Sequence, residues 1–231
     1  MKTVSPAVAA ALSMVALSQS ANANLIVNGD FESGFAFFGS DYGFVGQDGA
    51  SGGNTLGSSS LQNTGSFVVT ANANNWHPNF DSLGDHTSGA GQMLVANGSE
   101  NAGAEVWRQF VNLDSAPRGG ERFFEFTFWA RTVFPDSPPS FRLLLNGDQV
   151  GGDVLIPVSN ETWNSFTIAF DWAPPVDRGF GFNLALVDVN TDGFGNDFAI
   201  DDLSLIEVPG PGGVGAMMVG AGVMMRRRRV G

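Results

Sequence analysis

The side chains able to do chemistry in this sequence are mostly acidic. Asp188-Val189-Asn190-Thr191-Asp192-Gly193 sets an oxygen donor at every second position before a glycine, matching the first half of the D-x-[DN]-x-[DN]-G loop that wraps Ca²⁺. The twelfth position of such a loop would be Ala199, where an EF-hand needs a bidentate Glu, so an EF-hand is rejected. Two readings stay open: a strand-loop-strand Ca²⁺ site through Asp188, Asn190 and Asp192, or a hairpin turn whose Asn and Asp side chains bond their own backbone. The two histidines, His77 and His86, flank Asp81 and Asp85, a spacing that could hold a metal. No further ligand frame accompanies them, so they read as surface histidines of a polar loop. Cysteine is absent, which excludes disulfides, thiolate metal sites and cysteine nucleophiles. There is no nucleophile elbow, P-loop or glycine-rich helix entry. Carboxylate pairs for glycoside hydrolysis are recognised by their separation, which counting does not give.

The elements that must position these groups are strands. A charged fraction of 15%, Gly 31 and Phe 20 against one Tyr describe short apolar strands joined by glycine-rich turns rather than Ala-, Glu- and Lys-built helices. Phe124, Phe126, Phe128 and Ala130 alternate with Glu125, Thr127 and Trp129, the period of a half-buried strand. Phe141, Leu143 and Leu145 repeat it before Asn146-Gly147-Asp148, a strong turn signal. Further strands are expected near Val154 to Val158, Trp163 to Phe170, Phe180 to Val189 and Phe198 to Leu205. Strands recurring between turn signals suggest a sandwich or barrel. The stretches Gly39 to Gly65 and Asn72 to Gly91 are rich in Gly, Ser and Asn and are expected to be long surface loops, the places to seek a binding surface.

The two ends read as addresses. Lys2, an apolar stretch from Val4 to Leu17 and then Ala21-Asn22-Ala23 have the order of an export signal with a small-x-small site, so signal peptidase is expected to cut after Ala23. At the other end, Val208-Pro209-Gly210-Pro211 precedes an apolar small-residue run from Gly212 to Met225 and then Arg226, Arg227, Arg228 and Arg229. Prolines stop the last strand, the run is lipophilic, and the arginines stay cytoplasmic. This order resembles the PEP-CTERM sorting signal, a Pro motif, short transmembrane segment and Arg cluster recognised by the membrane protease exosortase. The motif departs from Pro-Glu-Pro, and the run of 14 residues is shorter than the ~20 that span a bilayer. Removing Lys2 and the four terminal arginines leaves six basic residues against 23 acidic ones. That balance opposes nucleic acid and anionic lipid and favours neutral polymers or cations as partners.

Three segments follow: a signal peptide over 1–23, one domain over 24–207, and a sorting tail over 208–231. Asn24-Leu25-Ile26-Val27-Asn28-Gly29-Asp30-Phe31-Glu32 resembles the opening strand of jelly-roll carbohydrate-binding modules and related galactose-binding-like domains, and Gly195 to Leu205, through Ile200-Asp201-Asp202, resembles their closing strand. Val106 to Phe110, the Phe126 to Trp129 strand and Trp163 fall in the matching order. The resemblance implies an all-β jelly-roll sandwich of two antiparallel sheets, flanked by a signal helix and a short sorting helix, with the first and last strands adjacent. It implies a structural Ca²⁺ held by Glu32 and Asp202, with Asp30 or Asp201 assisting. It also implies sugar recognition through exposed rings, for which Tyr42 and Trp76 are the candidates because both sit in polar loops; Trp107, Trp129, Trp163 and Trp172 lie on expected strands and read as packing.

The expectation is a secreted or cell-surface protein, held transiently at the inner membrane by its tail and passed on by an exosortase-like protease. It would act as a non-catalytic binding or structural component of the envelope or extracellular polysaccharide matrix. The competing expectation is a hydrolase or lyase acting on glycans with the same scaffold, which would need a cleft with two carboxylates at catalytic separation.

Overall fold

A computed structural model describes residues 23–48, 60–113, 120–134, 136–158, 162–173 and 181–210. The signal and tail helices, Ala21, Pro211 and the four arginines lie outside these residues. Among the described residues ten strands form two sheets: β1 (Gly43–Gln47), β2 (Ser66–Thr70), β3 (Met93–Asn97), β4 (Glu105–Asn112), β5 (Arg122–Phe134), β6 (Ser140–Leu145), β7 (Asp148–Leu155), β8 (Asn164–Trp172), β9 (Gly181–Asp188) and β10 (Asp197–Val208). One sheet has six strands in the order β1-β2-β3-β10-β5-β8 and the other four in the order β4-β9-β6-β7. The fold is the expected jelly-roll β-sandwich. One pairing departs from the all-antiparallel expectation: β1 runs parallel to β2. No helix among the described residues is long and apolar enough to cross a membrane.

The period-two pattern decides which faces meet. Phe124, Phe126, Phe128 and Ala130 of β5 point inward and pack with Phe141 and Leu143 of β6, Phe182, Leu184 and Leu186 of β9, and Trp107 of β4. Phe128 meets Phe141 edge-on at 5.8 Å, and Phe141 meets Phe198 at 4.8 Å. These are the offset and edge geometries that aromatic quadrupoles prefer. The Asn146-Gly147 turn joins β6 to β7 with φ of 53° and 94°, as a two-residue hairpin of matching twist requires.

The loop from Asn72 to Gly91 does not float on the surface. It folds back over the outer face of β2 and β3, where Trp76, Phe80 and Leu83 pack against Val68, Met93, Val95 and Ala199 as a second apolar cluster. Strands β2 and β3 are therefore buried on both faces. Their runs Ser66-Phe67-Val68-Val69-Thr70 and Met93-Leu94-Val95-Ala96-Asn97 accordingly show no alternation, because neither face meets water. The expected surface loop over Gly39 to Gly65 also contains β1, which Phe44 and Val45 supply.

The two ends of the domain lie side by side. Leu25 N–H donates to the Leu205 carbonyl at 2.8 Å, and Leu203 N–H to the Gly29 carbonyl at 2.9 Å. Gly29 is required here, since a Cβ would fall 2.1 Å from the Leu203 oxygen.

Candidate functional site

The outer face of the four-stranded sheet carries two exposed rings among polar groups. The segment before β1 adds to the β4 edge: Gly39 and Arg108 exchange backbone hydrogen bonds of 2.8 Å, and Asp41 N–H donates to the Glu105 carbonyl at 2.8 Å. On β4, Trp107, Gln109 and Val111 are buried, while Arg108, Phe110 and Asn112 face outward. Phe110 sits opposite Asn183 of β9. Phe37, Arg108, Phe110 and Asn183 line a shallow recess of about 380 Å³. Phe37 is 66% exposed and Phe110 58%, a large apolar area to leave in water.

Phe37 is held there by polar scaffolding. The buried Gln109 carboxamide accepts from Val27 N–H at 2.9 Å and donates to the carbonyls of Val27 at 2.9 Å and Phe37 at 2.7 Å. Phe37 has φ of 68°, a left-handed conformation that costs a bulky residue on the order of 1–2 kcal/mol. Arg108 is fixed by Asp41 Oδ1 at 2.5 Å and Glu105 Oε2 at 3.0 Å. Burial alone would raise the Asp41 carboxyl, but the Glu105 N–H and Arg108 outweigh it and hold the group below its usual range. Two phenyl rings, a preorganised guanidinium and a carboxamide around an open recess suit a ligand with apolar C–H faces and hydroxyl edges.

The residues expected to hold Ca²⁺ do not converge as a quartet. Asp30 and Asp202 line one groove, where Asp202 Oδ2 is taken by His86 Nδ1 and by Thr87 Oγ1, each at 2.6 Å. Asp202 sits at a bulge in the β10–β5 ladder with φ of 48°. Glu32 Oε1 accepts from Gln92 N–H at 2.9 Å. Glu32 and Asp202 thus hold different hydrogen-bond partners. Among the described residues no three His, Asp or Glu side chains form a metal-holding group.

A smaller set of oxygens gathers around Gly91, with Asp85 accepting from Ser88 N–H at 2.9 Å, Ser88 Oγ at 3.0 Å and Gly91 N–H at 2.7 Å. A Cβ at Gly91 would lie 2.1 Å from Glu32 Oε1 and 3.0 Å from Asp85 Oδ2, so two carboxylates approach each other across a glycine. Gln92 Oε1 is buried without a hydrogen-bond partner. Asp201 accepts the His86 N–H at 2.8 Å. Burial, with the Asp202 and Asp85 charges adding, pushes its carboxyl up to about 8 against the backbone donors of His86 and Asp202. Carboxylate and amide oxygens are what Ca²⁺ accepts.

At Asp188 to Gly193 the turn reading describes the structure. Asp188 Oδ1 accepts from Asn190 N–H at 3.1 Å, Asn190 Oδ1 from Asp192 N–H at 2.9 Å, and Asp192 Oδ1 from Phe194 N–H at 3.2 Å. Each side chain serves the amide two residues on, as the turn reading expects. Asp188 is 1% exposed, whereas Asp192 faces solvent.

Tyr42 and Trp76 are corrections. Both are 5% exposed and offer no face to a sugar. Tyr42 packs on Phe198 and its hydroxyl accepts from Ser99 N–H at 3.2 Å. Trp76 anchors the folded-back loop and donates to Asp48 Oδ1 at 3.2 Å. Trp107 and Trp172 are core residues as expected, but Trp129 and Trp163 are half-buried around His86, whose ring stacks on Trp129 at 3.7 Å. His77 stacks instead on Phe80 at 4.3 Å, so the two histidines do not share a ligand. Phe37 and Phe110 were not singled out by the sequence. Arg108 and Asn112 mark the water-facing parity of β4, and an apolar Phe110 on that parity was the available signal.

No protein-family model and no curated protein matches this sequence. Solved structures overlap it in part. The CBM22-1 xylan-binding domain from Paenibacillus barcinonensis Xyn10C is 16% identical over 62% of this chain and 80% of that one, with a TM-score of 0.41. CBM35 from Cellvibrio japonicus Abf62 is 19% identical over 56% and 83%, with a TM-score of 0.36. The enzymatically active domain of bacteriophage CBA120 tailspike protein 4 is 15% identical over 80% and 21%, with a TM-score of 0.42.

Proposed function

We propose that this protein is an exported, non-catalytic polysaccharide-binding component of the cell envelope or extracellular matrix, and that the outer face of the four-stranded sheet is its binding surface. The observation that carries this reading is the pair Phe37 and Phe110, two largely exposed phenyl rings on a rigid sheet beside Arg108 and Asn183. One of them is held in a costly backbone conformation by a buried glutamine. Catalysis on a glycan would need two carboxylates facing one cleft. No carboxylate lines this recess, and Asp41 and Glu105 beside it are bound to Arg108.

The export signal ending at Ala23 and the tail from Val208, Pro209, Gly210 and Pro211 to Arg229 support passage across the inner membrane, with signal peptidase and an exosortase-like protease as processing partners. Mass spectrometry of the secreted protein tests this step: an N-terminus at Asn24 supports it, and a retained Met1 opposes it. We further propose that a Ca²⁺ held by Glu32 and Gln92 Oε1, with backbone carbonyls completing its shell, pins the opening segment to the approach of β3.

Affinity electrophoresis of the secreted protein through gels containing soluble xylan, galactomannan or the producing cell's own exopolysaccharide tests the binding function. Retardation in at least one gel without release of reducing ends is expected. Free migration in every gel, or release of new ends or unsaturated sugars, would overturn the reading.

A further inference from the structure

A second recess lies where the connecting loops gather at one end of the sandwich, away from the face that Phe37 and Phe110 occupy. The three successive turns from Asp188 end on Phe194, which is left 67% exposed. Gly195, at φ of 84°, packs so closely on Asp136 and Ser137 that a Cβ would meet Asp136 Cβ at 2.6 Å, which fixes the direction in which Phe194 projects. The ring rests edge-on against Phe134 at 5.6 Å. A single exposed ring is ordinary on a protein surface; what sets this one apart is the polar recess beside it.

Around Phe194 the recess, about 250 Å³, is lined by Gln62, Thr64, His77, Asn79 and Asp197. Gln62, Thr64 and Asn79 are exposed neutral groups that both donate and accept hydrogen bonds. His77 Nδ1 accepts from Asn79 N–H at 3.3 Å, and burial holds the imidazole below its usual range. The ring is therefore neutral with its proton on Nε2, a donor with a fixed position. Asp197 is 6% exposed. Its Oδ1 accepts from Gly98 N–H at 3.2 Å, while Oδ2 takes no hydrogen bond from the described residues. No lysine or arginine lines the recess.

We infer that this recess is a second binding site, built for one neutral sugar residue. The exposed ring meets the C–H face, the Asp197 carboxylate accepts from a hydroxyl, and Gln62, Thr64, Asn79 and His77 complete the hydrogen bonds. A buried carboxylate without a cation beside it repels uronates, sulfated sugars and phosphates. The small volume selects a single residue or chain end, whereas the open sheet face accepts a chain interior. The two sites are built from different elements, so each stands without the other.

Titration of the secreted protein with methyl glycosides of glucose, galactose, mannose, xylose and N-acetylglucosamine, with methyl glucuronide as the anionic control, tests the site by NMR. At least one neutral glycoside should shift the amides of Asn79, Phe194 and Gln62 with a Kd on the order of 1 mM. Phe194→Ala and Gln62→Ala, both exposed and harmless to folding, should each weaken that binding about tenfold or more. Phe110→Ala should leave it unchanged. Binding should also weaken as pH falls through about 6, where Asp197, pushed up by burial, takes a proton. The inference is overturned if no glycoside moves these amides, if glucuronide binds as well as the neutral sugars, or if Phe194→Ala has no effect. Retention in polysaccharide gels reports on the Phe37–Phe110 face separately, so failure of either site is recognisable by itself.

Discussion

The carboxamide of Asn24 bridges both sides of one residue of the closing strand: its Oδ1 accepts the Leu205 N–H at 2.9 Å and its Nδ2 donates to the Leu203 carbonyl at 3.1 Å, across a separation of up to 181 residues. Asn24 is the first residue expected after signal cleavage. The processed end of the chain would thus be tied to the last strand by its own first side chain.

Asn24→Ala leaves a Leu205 amide and a Leu203 carbonyl without that partner, and a stability loss of about 1–3 kcal/mol is expected. Asn24→Asp keeps the acceptor but sets a carboxylate oxygen against the Leu203 carbonyl, so it should not recover the loss. Urea denaturation with an unchanged m-value checks both.

Phe37 trades stability for an exposed ring. Phe37→Gly removes the left-handed strain at φ of 68° and little buried contact, so the midpoint of thermal unfolding should rise by roughly 2–4 °C, about 1 kcal/mol at this size. Retention on polysaccharide should fall in the same variant. Calorimetry and affinity electrophoresis on one preparation read both effects; a lowered midpoint would show that the ring packs rather than binds.

The pH dependence follows from buried acids. Burial raises the Asp188 carboxyl from 3.8 to about 7, despite hydrogen bonds from Asn196, Asn190 and Ser140, and Asp197 to about 6. Asp201 is pushed further, to about 8. Between about pH 4 and those values the folded chain binds more protons than the unfolded one at these acids, so stability falls as pH rises through that window and levels off above about 8, with the lowered His77 imidazole opposing it in part. Below about pH 4 the trend reverses, because Asp41, Asp85, Asp153 and Glu207 are all held low in the folded state. Thermal unfolding in Ca²⁺-free buffer should therefore peak near pH 4–5. A midpoint still climbing from pH 5 to pH 8 would contradict this.

Calcium should act through Glu32. Adding millimolar CaCl₂ after EDTA treatment should raise the unfolding midpoint, since a ligand at about a hundred times its Kd contributes about 2.7 kcal/mol. Glu32→Gln should abolish the increment, and Asp202→Asn should retain it because the Asp202 oxygen serves His86 and Thr87. An increment lost with Asp202→Asn but kept with Glu32→Gln would place the ion elsewhere.

What the sequence shows plainly is what water decides locally. Strand β5 was legible from Phe124 to Ala130 because one face is wet, and the β6–β7 turn because Asn146-Gly147 has few other uses. The meeting of Asn24 to Glu32 with the closing strand was legible only through resemblance. Strands β2 and β3 were hidden because burial on both faces erases alternation. Tyr42 and Trp76 misled because polar neighbours in sequence say nothing about a loop folding back onto a sheet. The same non-locality hid Asp85 and Gln92 as neighbours of Glu32. Phe110 was masked by Trp107 and Val111, apolar residues of opposite parity.

The most direct measurement is the dissociation constant of the secreted protein for a polysaccharide that retards it, compared with that of the double variant Phe37→Ala/Phe110→Ala by isothermal titration calorimetry. Each exposed ring that stacks on a sugar should contribute upwards of about 1 kcal/mol, so the double variant should bind at least about tenfold more weakly with its thermal midpoint undiminished. Unchanged affinity in a fully folded double variant would contradict the assignment of this face.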